Sequence, residues 1–183
     1  GRPAFKEAPE YGEIKALFES PDTIAVAHNA AFDLGMLARE DIYPRATICT
    51  YKVARTLDPE EALGIYQLQY LRYALDLQVP EGTAAHDAWG DVVVLEALFE
   101  RLFSKELTKM GSERSVLEEM LTISARPLLF SSIRFGKYKG KKIIDIARED
   151  RGYLEWLLKA KKEKPSGEED WIYTLEHFLN AQK

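Results

Sequence analysis

The chain has 183 residues, of which 46% are hydrophobic, 11% aromatic and 30% charged. That balance suits one medium domain, or one domain with a small appendage, and excludes a disordered chain. No apolar run approaches membrane-spanning length and no charged-then-apolar start is present, so neither a membrane span nor a signal peptide is expected. The single cysteine, Cys49, excludes an internal disulfide and fits a reducing cytoplasm. Together with the scattered His28, His86 and His177 it cannot form a four-ligand zinc site. The net charge of −5 is uneven: residues 1–125 carry 12 basic against 21 acidic side chains, and residues 126–183 carry 13 against 9. An acidic body with a basic appendage suits a metal-dependent enzyme acting on an anionic polymer, although charge alone decides little.

In chain order, residues 11–20 have helical periodicity through Ile14, Leu17 and Phe18, and a Ser20-Pro21-Asp22 turn follows. Residues 23–28, TIAVAH, read as a short buried strand, and Asn29 as the N-cap of a helix over about 30–39. Residues 45–50 make a second strand, followed by helices over 51–57, 65–76 and 87–103. This alternation predicts an α/β core with parallel pairing, yet two strands are too few to make a buried sheet by themselves. Residues 104–114 read as a polar connection, and Ser115 with Glu118 has capping-box spacing ahead of a helix through Leu121. Residues 128–135 resemble a strand, residues 136–140 a basic turn, and helices are expected over about 143–160 and 169–181. Their aromatics, Tyr153, Trp156, Trp171 and Phe178, recur at helical spacing and read as core rather than as a base-stacking platform.

Two segments could carry chemistry. His28-Asn29-Ala30-Ala31-Phe32-Asp33 lies at a strand-to-helix junction, which places Asp33 in the first turn of the helix near the C-terminal end of the strand, where ligands of open α/β sheets collect. Phe32 is expected to anchor that turn in the core; in isolation, Asp33 would merely complement the helix dipole. His86-Asp87-Ala88-Trp89-Gly90-Asp91 sets a histidine five residues before an aspartate that opens an apolar helix. Asp87 can cap the helix, Asp91 can ligate a magnesium ion, and His86 can act as a general base. Alternatively, Asp91 is a solvated acid and His86 a loop residue.

The two segments, in this order, resemble the second and third motifs of the DEDDh family of 3′–5′ exonucleases, which have a ribonuclease-H-like fold. The resemblance implies four carboxylates holding two magnesium or manganese ions, with Asp33 and Asp91 as two of them, His86 as the catalytic base, and Asn29 and Phe32 beside the substrate. The family's first motif, D-x-E on the central strand, does not occur among the 32 residues before Asp33. The chain also opens Gly1-Arg2-Pro3 instead of with a methionine. By this resemblance it starts after the family's first three strands and lacks two of the four carboxylates. Phe135 to Lys141, then Asp145-Ile-Ala and Gly152 to Leu157, resemble the C-terminal module of the exonuclease-X branch of that family.

The expected fold is therefore α/β: a partial ribonuclease-H-like exonuclease core over residues 1–110, without its N-terminal strands, and a small α+β module over residues 111–183. The expected activity is hydrolysis of DNA phosphodiesters from the 3′ end, in the cytoplasm and in DNA repair, with single-stranded 3′ ends as the partner. A non-catalytic nucleic-acid-binding fragment is the alternative. An HD-type phosphohydrolase built on His86-Asp87 lacks further histidines in a recognisable motif. Lys137, Lys139, Lys141 and Lys142 can grip phosphates or can form a solvated hairpin tip; a Walker A loop is excluded, since three residues separate Gly136 from Gly140 and no Ser or Thr follows Lys141. The strand at 23–28, without its expected neighbour, leaves a row of backbone groups unpaired and invites self-association through that edge.

Overall fold

The computed structural model describes residues 5–85, 87–163, 165 and 167–181. The chain divides into two compact units, Gly1–Ala125 and Arg126–Lys183. In the first, a single 3-10 turn at Phe5–Glu7 precedes α1 (Tyr11–Glu19), β1 (Ala25–Ala27), α2 (Ala31–Arg39), β2 (Thr47–Cys49), α3 (Thr50–Thr56), α4 (Leu68–Ala74), α5 (Ala88–Met110) and α6 (Glu113–Ala125). The fold class is mixed α/β, mostly helical around a small parallel sheet. Val26 faces Ile48 in the register, flanked by the pairs Ala25–Thr47 and Ala27–Cys49. Among the described residues β2 is the one strand partner of β1.

Both strands are shorter than the expected runs. β1 ends because Asn29 turns the backbone into the left-handed region at φ 63, which asparagine tolerates better than most residues. This corrects the expected cap: the N-cap position of α2 is Ala30, without a side-chain hydrogen bond, and Asn29 serves the turn before it. β2 passes directly into α3, so α2 and α3 both leave from the same end of the sheet.

The core of this unit gathers on α5, whose Val94, Leu98 and Leu102 recur at four-residue spacing and are buried with Ile48, Val53, Tyr66, Leu71, Val116 and Met120. α5 runs well past the expected end near 103. Leu107 continues the apolar face, and the helix stops at Gly111, which takes φ 70 and donates its N–H to the Leu107 carbonyl. Most of the connection expected over 104–114 is thus helix. The cap of α6 is Ser112, whose hydroxyl accepts from the Ser115 N–H at 3.4 Å, one turn before the expected cap at Ser115. α6 packs on β2, α3 and α5, so the first compact unit extends to residue 125, beyond the division at 110 drawn from the sequence.

The second unit consists of an extended segment, a 3-10 turn at Gly136–Tyr138, and α7 (Ile143–Glu149), α8 (Arg151–Glu163) and α9 (Glu169–Asn180). Residues 128–135 are not a strand; one isolated antiparallel bridge joins Ser132 to Lys142. Side chains of α9 satisfy the backbone there instead: Leu128 N–H donates to the Asp170 carboxylate at 2.8 Å and Phe130 N–H to Thr174 Oγ1 at 3.0 Å. The helix expected over 143–160 is broken at Asp150, where φ is −145 and ψ 64. Its carboxylate accepts from the Tyr138 hydroxyl at 2.7 Å, from the Tyr153 N–H at 3.1 Å and from Lys137 Nζ at 3.2 Å.

The start of α5 depends on one glycine. Asp87 is the N-cap, accepting from the Gly90 N–H at 3.3 Å. Gly90 is buried, and a Cβ there would lie 2.0 Å from the Ala84 carbonyl oxygen, a backbone atom that cannot swing away. Gly90→Ala is therefore expected to destabilise the chain by about 1–3 kcal/mol, the usual penalty of overpacking. An unchanged urea midpoint would show that the loop before α5 can yield.

Candidate active site

Asp33 lies in the first turn of α2 and Asp91 in the first turn of α5. Both line one cavity of about 510 Å³, walled by Ala25, Val26 and Ala27 of β1, by Leu34 and Leu37 of α2 and by Leu95 of α5. They are the two carboxylates in a mostly apolar wall, the setting in which a few converging polar groups define a binding site. Asp33 is exposed and Asp91 half-buried. A cavity of similar size between α3 and α5 contains Asp58, but that carboxylate already accepts from Leu63 N–H at 2.9 Å, Ala62 N–H at 3.0 Å and the Tyr66 hydroxyl at 2.7 Å. Burial works to raise the Asp58 pKa, yet those bonds outweigh it and hold the group below its ordinary value. Asp58 is committed to the loop that it closes.

Gln69, on the first turn of α4, is a site residue that the sequence did not reveal. Its Nε2 donates to Asp91 Oδ1 at 2.5 Å, and its Oε1 is buried without a hydrogen-bond partner among the described residues. A buried carbonyl oxygen left without a donor is uncommon and calls for an explanation. The sequence offered only a glutamine on an amphipathic helix, which is indistinguishable from a solvated position until α4 is seen to pack on α5.

His28 also borders the cavity. Its Nε2 lies 2.7 Å from the Tyr66 carbonyl, which can only accept, so this nitrogen carries the proton and Nδ1 accepts from Thr50 Oγ1 at 2.9 Å. The ring ties the end of β1 to α3 and to the loop before α4. Burial pushes its pKa below the ordinary histidine value, against weaker upward pulls from the Tyr66 carbonyl and the Asp33 charge.

The other candidates are less converged. His86 lies outside the described residues. Phe32 is 69% exposed and does not anchor the turn in the core; Ala30, just before α2, is the buried residue there, while Leu34 and Leu37 on the helix line the cavity. Lys137 pairs with Asp150 and Lys141 with Glu149, whereas Lys139 and Lys142 have exposed side chains. The donors present, two carboxylates on one cavity, suit a hard divalent cation. Among the described residues no group of three or more His, Cys, Asp or Glu could hold a metal ion.

A family model described as 3′-5′ exonuclease matches residues 6–112, and one described as exodeoxyribonuclease X-like C-terminal matches residues 133–162. Exodeoxyribonuclease 10 of Escherichia coli strain K12 is 35% identical over 154 residues, and the protein of that name from Escherichia coli O6:H1 matches equally. The alignment covers 84% of this chain and 64% of the relatives' length, so the chain spans less than two thirds of the proteins it matches. No solved structure is a significant match.

The His28 geometry has a consequence for stability. A histidine whose folded pKa lies below its unfolded value, near 6.5, binds fewer protons when folded, so its contribution is present above that value and is lost as the pH falls towards the folded pKa. The urea midpoint is expected to fall on acidification below about pH 6.5, and His28→Gln is expected to flatten that fall. An identical pH profile in the variant would contradict the assignment.

Proposed function

The chain belongs to the 3′-5′ exonuclease family, and on that premise we propose that it hydrolyses DNA phosphodiesters from the 3′ end at the Asp33–Asp91 cavity. The observation that supports this reading is that two aspartates 58 positions apart, each on the first turn of its own helix, border one cavity against the sheet. The fold is consistent with a ribonuclease-H-like core, and the family uses divalent metal ions. In this reading the ions are magnesium or manganese, and when bound they supply activation of the attacking water and stabilisation of the leaving 3′ oxygen. Asp33 and Asp91 hold them, as the resemblance to the DEDDh motifs implies.

The chain's own residues divide the remaining work. Gln69 fixes Asp91 through Oδ1, which leaves the other carboxylate oxygen for an ion. The apolar wall of Leu34, Leu37 and Leu95 lowers the local dielectric and strengthens the pull of the carboxylates on a cation. His86 takes the proton of the attacking water, a role suited to an imidazole near neutral pH. Phe32 and Asn29, both exposed and next in sequence to the cavity residues Asp33 and His28, contact the substrate as the resemblance implies, and Lys139 and Lys142, with Lys137 and Lys141 once their acids are displaced, meet the phosphates. DNA in preference to RNA, single-stranded 3′ ends, a role in repair and a cytoplasmic setting complete the proposal; the single thiol, Cys49, is buried and suits that setting.

A second reading is a nucleic-acid-binding protein without turnover. It is favoured by one observation: no D-x-E precedes Asp33 in the chain, so two carboxylates stand where a two-ion site takes more. Both readings are tested together. Asp33→Ala or Asp91→Ala is expected to abolish magnesium-dependent release of 3′ nucleotides with the fold retained, and His86→Ala to lower it by ~10²–10⁴-fold. Full activity of the Asp91 variant would overturn the proposed site. The 183-residue chain alone is expected to turn over DNA far more slowly than exodeoxyribonuclease 10 in magnesium or manganese, and equal rates would refute the carboxylate assignment.

A further inference from the structure

The aromatics of the second unit divide into two groups. Trp171 meets the core expectation: its ring lies 4.5 Å from Phe130 and 5.1 Å from Phe135. Trp156 does not; it is 61% exposed on α8. It continues a row of rings, with Tyr153 at 5.7 Å from Trp156 and Tyr138 at 4.9 Å from Tyr153. Lys137 Nζ stands 4.7 Å from the Tyr138 ring centre and Lys141 Nζ 5.6 Å. Lys139 follows Tyr138 at one end, and Lys159 lies three residues past Trp156 on the same face of α8 at the other; both are exposed. Four residues before Trp156 stands Gly152, where a Cβ would meet nothing nearer than the Asp150 carboxylate at 3.9 Å. Neither a crowded contact nor a positive φ requires glycine there, and its lack of a side chain adds no cover beside Trp156 one turn on.

We propose that this row is a stacking platform for single-stranded nucleic acid, with Trp156 as the ring on which a base lies and the flanking lysines as its phosphate contacts. Exposed aromatic faces bordered by cations are how proteins hold single strands without reading their sequence. Charge favours this occupant, since residues 126–183 carry 13 basic against 9 acidic side chains. The surroundings disfavour a protein partner. A helix that docks on a protein presents apolar side chains at every turn, whereas Trp156 has, besides the half-buried Tyr153, only Gly152, Glu155, Lys159 and Ala160 around it on the exposed side of α8. The choice of a nucleic acid deepens the nuclease reading above, but the platform needs neither Asp33 nor Asp91.

The test is fluorescence anisotropy of a labelled oligothymidylate with the full 183-residue chain in chelator, so that binding is read without hydrolysis. Trp156→Ala is expected to weaken binding by roughly 5- to 100-fold, the range that loss of one base–aromatic stack implies. Trp156→Phe is expected to keep most of the affinity, with the urea midpoints of both variants unchanged. The joint variant Lys139→Ala, Lys159→Ala is expected to flatten the dependence of affinity on salt. Undiminished binding by Trp156→Ala would overturn the proposal, as would equal affinity for a blunt duplex. A wild-type dimer that dissolves in Trp156→Ala would overturn it too, by making the face a contact between two copies of the chain. Because chelator removes turnover, a nuclease reading that fails on the Asp91 variant leaves this result standing, and the reverse also holds.

Discussion

Burial of one stripe on α5 sets the geometry of the first unit. Val94, Leu98 and Leu102 bring α3, α4 and α6 against a single helix. Each fully buried aliphatic side chain contributes about 1.5–3 kcal/mol, so the rotation of α5 about its axis is decided by the stripe before any polar contact acts. Asp91 stands three residues before Val94 and goes where that rotation sends it, to the wall of the cavity beneath β1. The hydrogen bond from Gln69 is smaller, on the order of 1.5–3 kcal/mol for a charged acceptor. It selects which oxygen of Asp91 faces the cavity; it does not place the helix. Asp33 is located independently, by the left-handed turn at Asn29 that starts α2 immediately beyond the strand.

In the second unit, Asp150 takes the organising part. By interrupting the helix after Glu149 it creates a new first turn at Tyr153 and holds the basic turn through Tyr138 and Lys137. The Tyr138 hydroxyl bond, then Lys137, keeps the carboxyl below its ordinary range, so it is ionised at neutral pH. The resulting ion pair is exposed and screened by solvent, so it adds little to stability. A phosphate can therefore compete for Lys137 at little expense, while the tyrosine contact continues to hold the turn.

Much of this was legible in the sequence wherever one periodicity dominated. Apolar spacing located α2, α3, α5 and α9, and two short motifs located Asp33 and Asp91 on first turns. What was missed depended on contacts between segments far apart in the chain. Gln69 matters only because α4 packs on α5, and Gly90 only because the Ala84 carbonyl meets it. Residues 128–135 alternate like a strand, but Asp170 and Thr174, more than forty positions later, take the hydrogen bonds that a neighbouring strand would have made. The break at Asp150 was hidden because apolar spacing continues across it, and the exposure of Phe32 and Trp156 because an aromatic at helical spacing reads as core wherever its face points.

The central proposal is that Asp33 and Asp91 together hold the divalent ions. Manganese added to the isotopically labelled chain and followed by paramagnetic broadening of backbone amide resonances tests it directly. The account predicts broadening that begins together in the first turns of α2 and α5 and at Gln69, before any other acidic segment responds. Broadening centred instead on the acids of α6 or on the run from Asp145 to Asp150, with Asp33 and Asp91 unaffected, would contradict it.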